Sequence, residues 1–179
     1  MTDEEIETEN KREAQAKSGE IKQDDYADDN YLRYENHVYH PNIKSPQLYI
    51  KGEPLSYPVL FLNDGRQLEL HFDDLKKEYQ TYSYDFVHCN ANWEPSGLVT
   101  TEYISGFFNA FIEDYKYSFN TLFPYIHYTL QFPNQDIKFT KSGNYLLKVY
   151  VNNDPNDLIL TRRFYVVDQR LSIKSSVKM

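Results

Sequence analysis

A single cysteine, Cys89, stands in the 179 residues of this chain. That excludes an internal disulfide framework and any zinc site built from paired cysteines. No stretch approaches the ~20 consecutive apolar residues that a membrane-crossing helix needs. The N-terminus is acidic rather than basic and then apolar, so it does not read as a secretory signal. Glycine is scarce at six residues, and no Gly-rich phosphate loop, Ser-centred elbow or His-x-x-x-His pair occurs. A basic surplus is also missing. The net charge is −8, whereas nucleic-acid binding needs a basic stripe that releases counterions.

The acidity is confined to one end. Residues 1–30 hold 11 acidic and 4 basic side chains, while the remainder holds 16 and 15. The leader offers only Ile6, Ile21 and Tyr26 as sizeable apolar residues besides its Met. It cannot bury enough surface to offset the cost of ordering. An acidic, flexible or partly helical arm over residues 1–35 is therefore expected.

What is abundant is aromatic: 17 Tyr and 11 Phe, residues that suit a pleated, half-buried surface. Leu68, Leu70 and Phe72 alternate with Glu69, His71 and Asp73, a period of two with one wet face. Val59–Leu62 precedes them, and Asn63-Asp64-Gly65-Arg66 between the two runs predicts a hairpin. Tyr115, Tyr117 and Phe119 alternate, as do Ile126, Tyr128, Leu130 and Phe132. Tyr145 to Val151 and Leu158 to Val167 follow. Strands every ten residues or so, with turns between, predict an all-β, immunoglobulin-like antiparallel β-sandwich over residues 36–170. Ser142-Gly143-Asn144-Tyr145 has the form of a tyrosine corner, in which the hydroxyl ties back to upstream backbone. Asn92 to Phe111, with Pro95, Gly97 and Gly106, reads as a long ordered crossover loop. Residues 171–179 alternate again and are expected to open a further β element or linker.

Candidate chemistry concentrates in Tyr82-Ser83-Tyr84-Asp85-Phe86-Val87-His88-Cys89-Asn90-Ala91-Asn92-Trp93. His88 beside Cys89 suggests a nucleophile and its base. Neighbours on a strand face opposite ways, so the ~3 Å contact such a pair requires cannot form. His88, Cys89 and Tyr145 are accordingly expected to be structural. His71 with Asp73, next to Asp74, is a second cluster, suited to a metal or to acid–base work. With no third ligand at a diagnostic spacing it reads as the solvated face of a strand, and no metal or cofactor is expected. Asp73-Asp74-Leu75 also has turn-capping chemistry. Trp93 is either a core plug or a partner anchor of the kind enriched in hot spots. Trp93, Tyr103, Phe107, Asp73 and Asp74 are the candidate partner-binding residues.

Several blocks carry a family resemblance in order. They are Tyr39-His40-Pro41-Asn42-Ile43-Lys44-Ser45, Leu55-Ser56-Tyr57-Pro58 and Leu70-His71-Phe72-Asp73-Asp74-Leu75. Tyr82 to Trp93 and Glu102-Tyr103-Ile104-Ser105-Gly106-Phe107 follow. Asp114-Tyr115, Ser118-Phe119-Asn120-Thr121, Tyr125-Ile126-His127-Tyr128 and Phe132-Pro133-Asn134 come next. Ser142 to Tyr150 and Thr161-Arg162-Arg163-Phe164 complete the series. Across residues 36–168 the chain resembles the first domain of the plug proteins of the type IX secretion system. The resemblance implies a non-enzymatic periplasmic protein that closes the periplasmic opening of a large outer-membrane translocon barrel, and a chain that continues into further domains. It assigns no interface residues. Two other readings stand beside it: a carbohydrate-binding β-sandwich using exposed Tyr and Trp rings, and a metal-dependent hydrolase built on His71, Asp73 and Asp74.

Overall fold

The computed structural model describes residues 31–76 and 78–169. The expectations for residues 1–30 and for 171–179 lie outside them. Twelve strands and one helical turn follow in order: β1 (His37–Val38), β2 (Ile43–Ile50), β3 (Val59–Phe61), β4 (Leu68–Asp74), β5 (Tyr82–Cys89) and α1 (Thr100–Tyr103). Then come β6 (Ile104–Gly106), β7 (Asn109–Phe111), β8 (Asp114–Tyr117), β9 (Ile126–Phe132), β10 (Ile137–Phe139), β11 (Gly143–Val151) and β12 (Leu158–Val167). The structure is the all-β sandwich the alternation predicts.

One sheet runs β1-β12-β11-β5-β7, with β3 added beside β12, and the other runs β2-β4-β9-β8. A two-stranded ribbon, β6 with β10, completes the set. In β4 and in β9, buried and half-buried residues alternate without a break. The buried rows meet as rings: Phe72 lies 5.4 Å from Tyr82, Tyr82 lies 4.8 Å from Tyr128, and Phe132 lies 5.2 Å from Phe164. Each of these pairs joins a residue of one sheet to a residue of the other, mostly edge-to-face as ring quadrupoles favour. The Tyr145 hydroxyl donates to the Lys141 carbonyl at 2.7 Å, the bond a tyrosine corner makes.

Two expectations need correction. Val59–Phe61 does not form a hairpin with Leu68–Asp74. It pairs in parallel with β12, Val59 opposite Tyr165, while β4 belongs to the other sheet. Asn63 and Gly65 do adopt positive φ (65° and 75°), but the turn passes the chain between sheets. Residues 92–111 are not all loop: they contain α1, β6 and β7. β2 escapes the alternation because Ser45, at φ 51°, and Pro46 break it. The register slips between Lys44 and Gln47, as edge strands tolerate.

Outside the sandwich, residues 33–36 strap the outer face of β12. The Thr161 hydroxyl donates to the Glu35 carbonyl at 2.6 Å, Arg163 Nε donates to the Tyr34 carbonyl at 2.6 Å, and the Arg163 amide donates to the Asn36 side chain at 2.7 Å.

Candidate functional site

β5 is interior to its sheet, paired to β11 on one side and β7 on the other. Tyr82, Tyr84 and Phe86 enter the core. His88 packs between Tyr103 and Tyr145, with ring centroids 5.5 and 5.0 Å away, and its Nε2 bonds the Ser142 carbonyl at 3.2 Å. Cys89 is buried and its thiol donates to the Val87 carbonyl at 3.7 Å. His88 and Cys89 make no bond to each other, since their hydrogen bonds go to different backbone groups. Burial pushes the Cys89 thiol up to about 11, against a smaller downward pull from Arg163. A thiol so raised remains protonated near neutrality, and the thiolate is the nucleophile. Treated with Ellman's reagent at pH 8, the folded chain is expected to leave Cys89 unmodified over minutes, while the chain in guanidinium reacts at once. Rapid reaction of the folded chain would contradict the buried placement.

Past β5 the chain closes a small loop. Asn90 Oδ1 accepts from the Asn92 and Glu94 amides at 2.8 and 3.1 Å, and the Asn90 amide donates to the Glu94 carbonyl at 2.8 Å. Trp93, at φ 65°, is half-buried, with Arg163 4.3 Å over its ring and Tyr165 at 5.5 Å. Two of the candidate partner residues are interior. Tyr103 is 5% exposed and donates to the Phe86 carbonyl at 3.1 Å. Asp74 is fully buried, accepting from Asn42 Nδ2 at 2.6 Å, the Lys76 amide at 2.8 Å and the Tyr82 hydroxyl at 2.8 Å. Burial, and then the bond to Asp74, raise the Tyr82 hydroxyl well above the usual tyrosine range. Of the aromatic residues of this segment, Tyr103 is interior, Trp93 half-buried and Phe107 exposed.

Exposed aromatic side chains also gather at the β8–β9 hairpin. Tyr115 and Tyr117 stand opposite Tyr128 and Ile126, so they continue the core face of the sheet. Yet all of β8 is exposed. Tyr79 tilts against Tyr115 at 4.7 Å. The connecting loop is tied internally: the Ser118 amide donates to the Tyr125 carbonyl at 2.9 Å, and the Tyr125 amide to the Ser118 hydroxyl at 2.9 Å. The Thr121 hydroxyl reaches the Phe123 carbonyl at 3.1 Å. These bonds hold a loop whose Phe119, Leu122 and Phe123 are 93%, 88% and 74% exposed. Exposed apolar side chains grouped on one loop are the kind of feature that interaction sites carry. Sequence reasoning took Phe119 as a continuing strand residue. Leu122 and Phe123, apolar between Ser118-Asn120-Thr121 and Pro124, were the signal that went unread.

His71 and Asp73 are brought together only through a residue the sequence did not connect with them. His127 Nδ1 bonds Asp73 Oδ1 at 2.7 Å, and its Nε2 stands 3.0 Å from His71 Nδ1. Among the described residues no group of three or more His, Cys, Asp or Glu is placed to hold a metal ion. Nor is any described helix long and apolar enough to cross a membrane.

The domain is thus an antiparallel β-sandwich whose buried Tyr103, Tyr145 and His88 bond backbone carbonyls and whose edge hairpin carries exposed aromatic side chains. The family model of the Type 9 secretion system plug protein 1st domain matches residues 43–168, and the chain belongs to that family. Among solved structures, it is similar to a hypothetical protein from Parabacteroides merdae ATCC 43184, determined at 2.30 Å resolution. The identity is 38% and the TM-score 0.73, over 77% of this chain and 35% of that one. The chain thus spans about a third of that protein's length. An alkylpurine DNA glycosylase of Pseudomonas fluorescens, bound to DNA with an abasic-site analogue, aligns with a TM-score of 0.34 and 10% identity over 70% of this chain and 30% of that one. Nothing rests on that likeness. No curated protein matches the chain.

Proposed function

We propose that this domain is a non-catalytic, periplasmic protein-binding module that helps close the periplasmic opening of an outer-membrane type IX translocon barrel. The observation that carries the reading is the family match over residues 43–168. The folded body proposed from sequence, residues 36–170, contains that span. The β8–β9 hairpin supplies a physical means. Phe119, Leu122 and Phe123 stand out from a loop tied by its own hydrogen bonds, so little loop ordering remains to be lost on docking. A tied loop bearing aromatics can seat against the rim of a barrel and exclude water there.

The test is co-purification from envelope extracts in mild detergent, comparing the native chain with a Phe119→Asp/Leu122→Asp/Phe123→Asp variant. The native chain is expected to bring down one very large barrel protein, and the variant, folded by circular dichroism, is expected to lose it. Failure of the native chain to retain a barrel would overturn the plug reading. Equal retention by both would move the contact away from the hairpin.

A further inference from the structure

β8 ends its sheet, with β9 on one side and, among the described residues, no strand on the other. The ladder with β9 fixes which way the backbone of β8 points. The Ser118 amide donates to the Tyr125 carbonyl at 2.9 Å, and in an antiparallel ladder such bonded positions recur at every second residue. Lys116 and Asp114, opposite His127 and Thr129, therefore bond β9, while the amides and carbonyls of Tyr115 and Tyr117 point outward. Among the described residues nothing bonds those outward groups. Every residue of β8 is exposed.

The side chains divide by face. Tyr115 and Tyr117 share the face of Tyr128 and Ile126, and Asp114 and Lys116 take the opposite one. These two carry opposite charges, and neither makes an ion pair among the described residues. A row of free amides and carbonyls is a template for another strand. A lysine on such an edge ordinarily keeps it single. Here an aspartate stands two residues away on the same face, and that makes the edge self-complementary in one antiparallel register.

We propose that two copies of this chain join β8 to β8, antiparallel, across a two-fold axis at Tyr115. Such an interface is isologous, each copy offering the same patch. In this register Asp114 of each copy stands opposite Lys116 of the other, which gives two opposite-charge pairs on one face. On the other face the two Tyr115 rings meet. The Tyr115 amide of each copy donates to the Tyr115 carbonyl of the other, so the outward groups bond in pairs. The neighbouring registers are worse. Centring on Asp114 or on Lys116 sets like charges opposite, which destabilises. Centring on Tyr117 puts Lys116 opposite Ser118 and Asp114 opposite Asn120, and both charges stay without an ion partner. Two chains of net charge −8 repel at long range, but salt at about 0.15 M screens charges beyond about 8 Å, whereas the pairs across β8 are in contact. The edge is only 4 residues long, short of the surface a permanent dimer buries, so the association is weak. Because the strands run oppositely, the loops bearing Phe119, Leu122 and Phe123 leave the pair at its two ends. The edge contact thus goes beyond the docking proposed for those loops and does not use them up.

The experiment is sedimentation equilibrium of the full chain in about 0.15 M NaCl, from about 5 to about 500 μM, beside amide hydrogen exchange at the same concentrations. A monomer–dimer equilibrium with a dissociation constant of roughly 100 μM is expected, with exchange at Tyr115 and Tyr117 slowing as the dimer fills. Asp114→Lys and Lys116→Asp should each weaken dimerisation by roughly 10-fold, since each turns two attractive pairs into repulsive ones. Mixing the two single variants, or combining them as Asp114→Lys/Lys116→Asp, sets opposite charges face to face again and should return the association to within about 3-fold of the native chain. The exchange readout needs no variant, so the proposal stays falsifiable if one fails to fold. A chain that is monomeric at about 500 μM overturns it. So does a dimer indifferent to the single variants, a double variant that stays monomeric, or protection that rises with concentration at other amides and not at Tyr115 and Tyr117. Each outcome is read on the purified chain, independently of whether a barrel partner is captured.

Discussion

Asp74→Ala is expected to lower the unfolding free energy by about 3–5 kcal/mol, which corresponds to a fall in Tm of roughly 10–15 °C. The size follows from what the carboxyl group collects. Its two oxygens accept from the Asn42 side chain, the Lys76 amide and the Tyr82 hydroxyl, and the side chain has no exposure at all. Alanine removes every acceptor at once while Tyr82 stays buried. A buried donor left without a partner costs about 1–3 kcal/mol. The three losses share one site, so they add incompletely. The position also joins elements, since Asp74 stands opposite Ile43 of β2 and Ile126 of β9, while Tyr82 begins β5 of the other sheet.

Two companion variants separate causes. Tyr82→Phe removes one donor and leaves the carboxyl with two, for an expected loss of about 1–2 kcal/mol. Added to Asp74→Ala it should cost less than its own effect, because the bond it breaks is already gone. Guanidinium unfolding followed by tryptophan fluorescence reads all three. A loss below about 1 kcal/mol for Asp74→Ala would show that the carboxyl is not the hub described.

What was legible in the sequence follows from what each signal encodes locally. Period-two alternation is a statement about two faces, so β4, β9, β11 and β12 could be read residue by residue. The opposition of His88 and Cys89 came from the same rule and needed no tertiary information. Pairing partners are another matter. The turn chemistry of Asn63-Asp64-Gly65-Arg66 specifies a reversal but not where the next strand goes, and β3 went to β12, about a hundred residues away in sequence. Burial at strand ends was equally hidden. Asp74 continues the alternation as a polar residue in a buried row, and only the arrival of Asn42 and Tyr82 makes that tolerable. Tyr103 lies in a segment without a period, so nothing local signals its burial, yet α1 turns it inward beneath β5. The His71–His127 contact could not be read either, because a cross-strand diagonal exists only once register is known. The family resemblance was legible since it depends on residue order alone.

Gly106→Ala is the other change expected to act strongly, at about 3 kcal/mol or more. Gly106 ends β6 with φ at +111°, a region that residues with a side chain rarely enter. Space compounds the strain. A Cβ there would collide with the Asp136 backbone oxygen and lie 2.9 Å from its carbonyl carbon. That oxygen is fixed, because it accepts the Phe107 amide at 2.8 Å, while Gly106 itself pairs with Ile137. No rotamer change relieves a clash with backbone, so β6 and β10 must part. Gly97→Ala isolates the dihedral contribution: its φ is +76° and nothing stands within 4 Å of the new Cβ. That control should cost only about 1–2 kcal/mol. The difference between the two combines the close approach of β6 and β10 with the less favourable dihedral at 106. It also has a structural readout, since Ile137 and Phe139 of β10 enter the core. Hydrogen exchange at the Phe107 and Thr140 amides should accelerate in Gly106→Ala while the β11 amides keep most of their protection. Equal losses in the two alanine variants would mean that the ribbon yields freely and that the contact at Gly106 contributes no specificity to the fold.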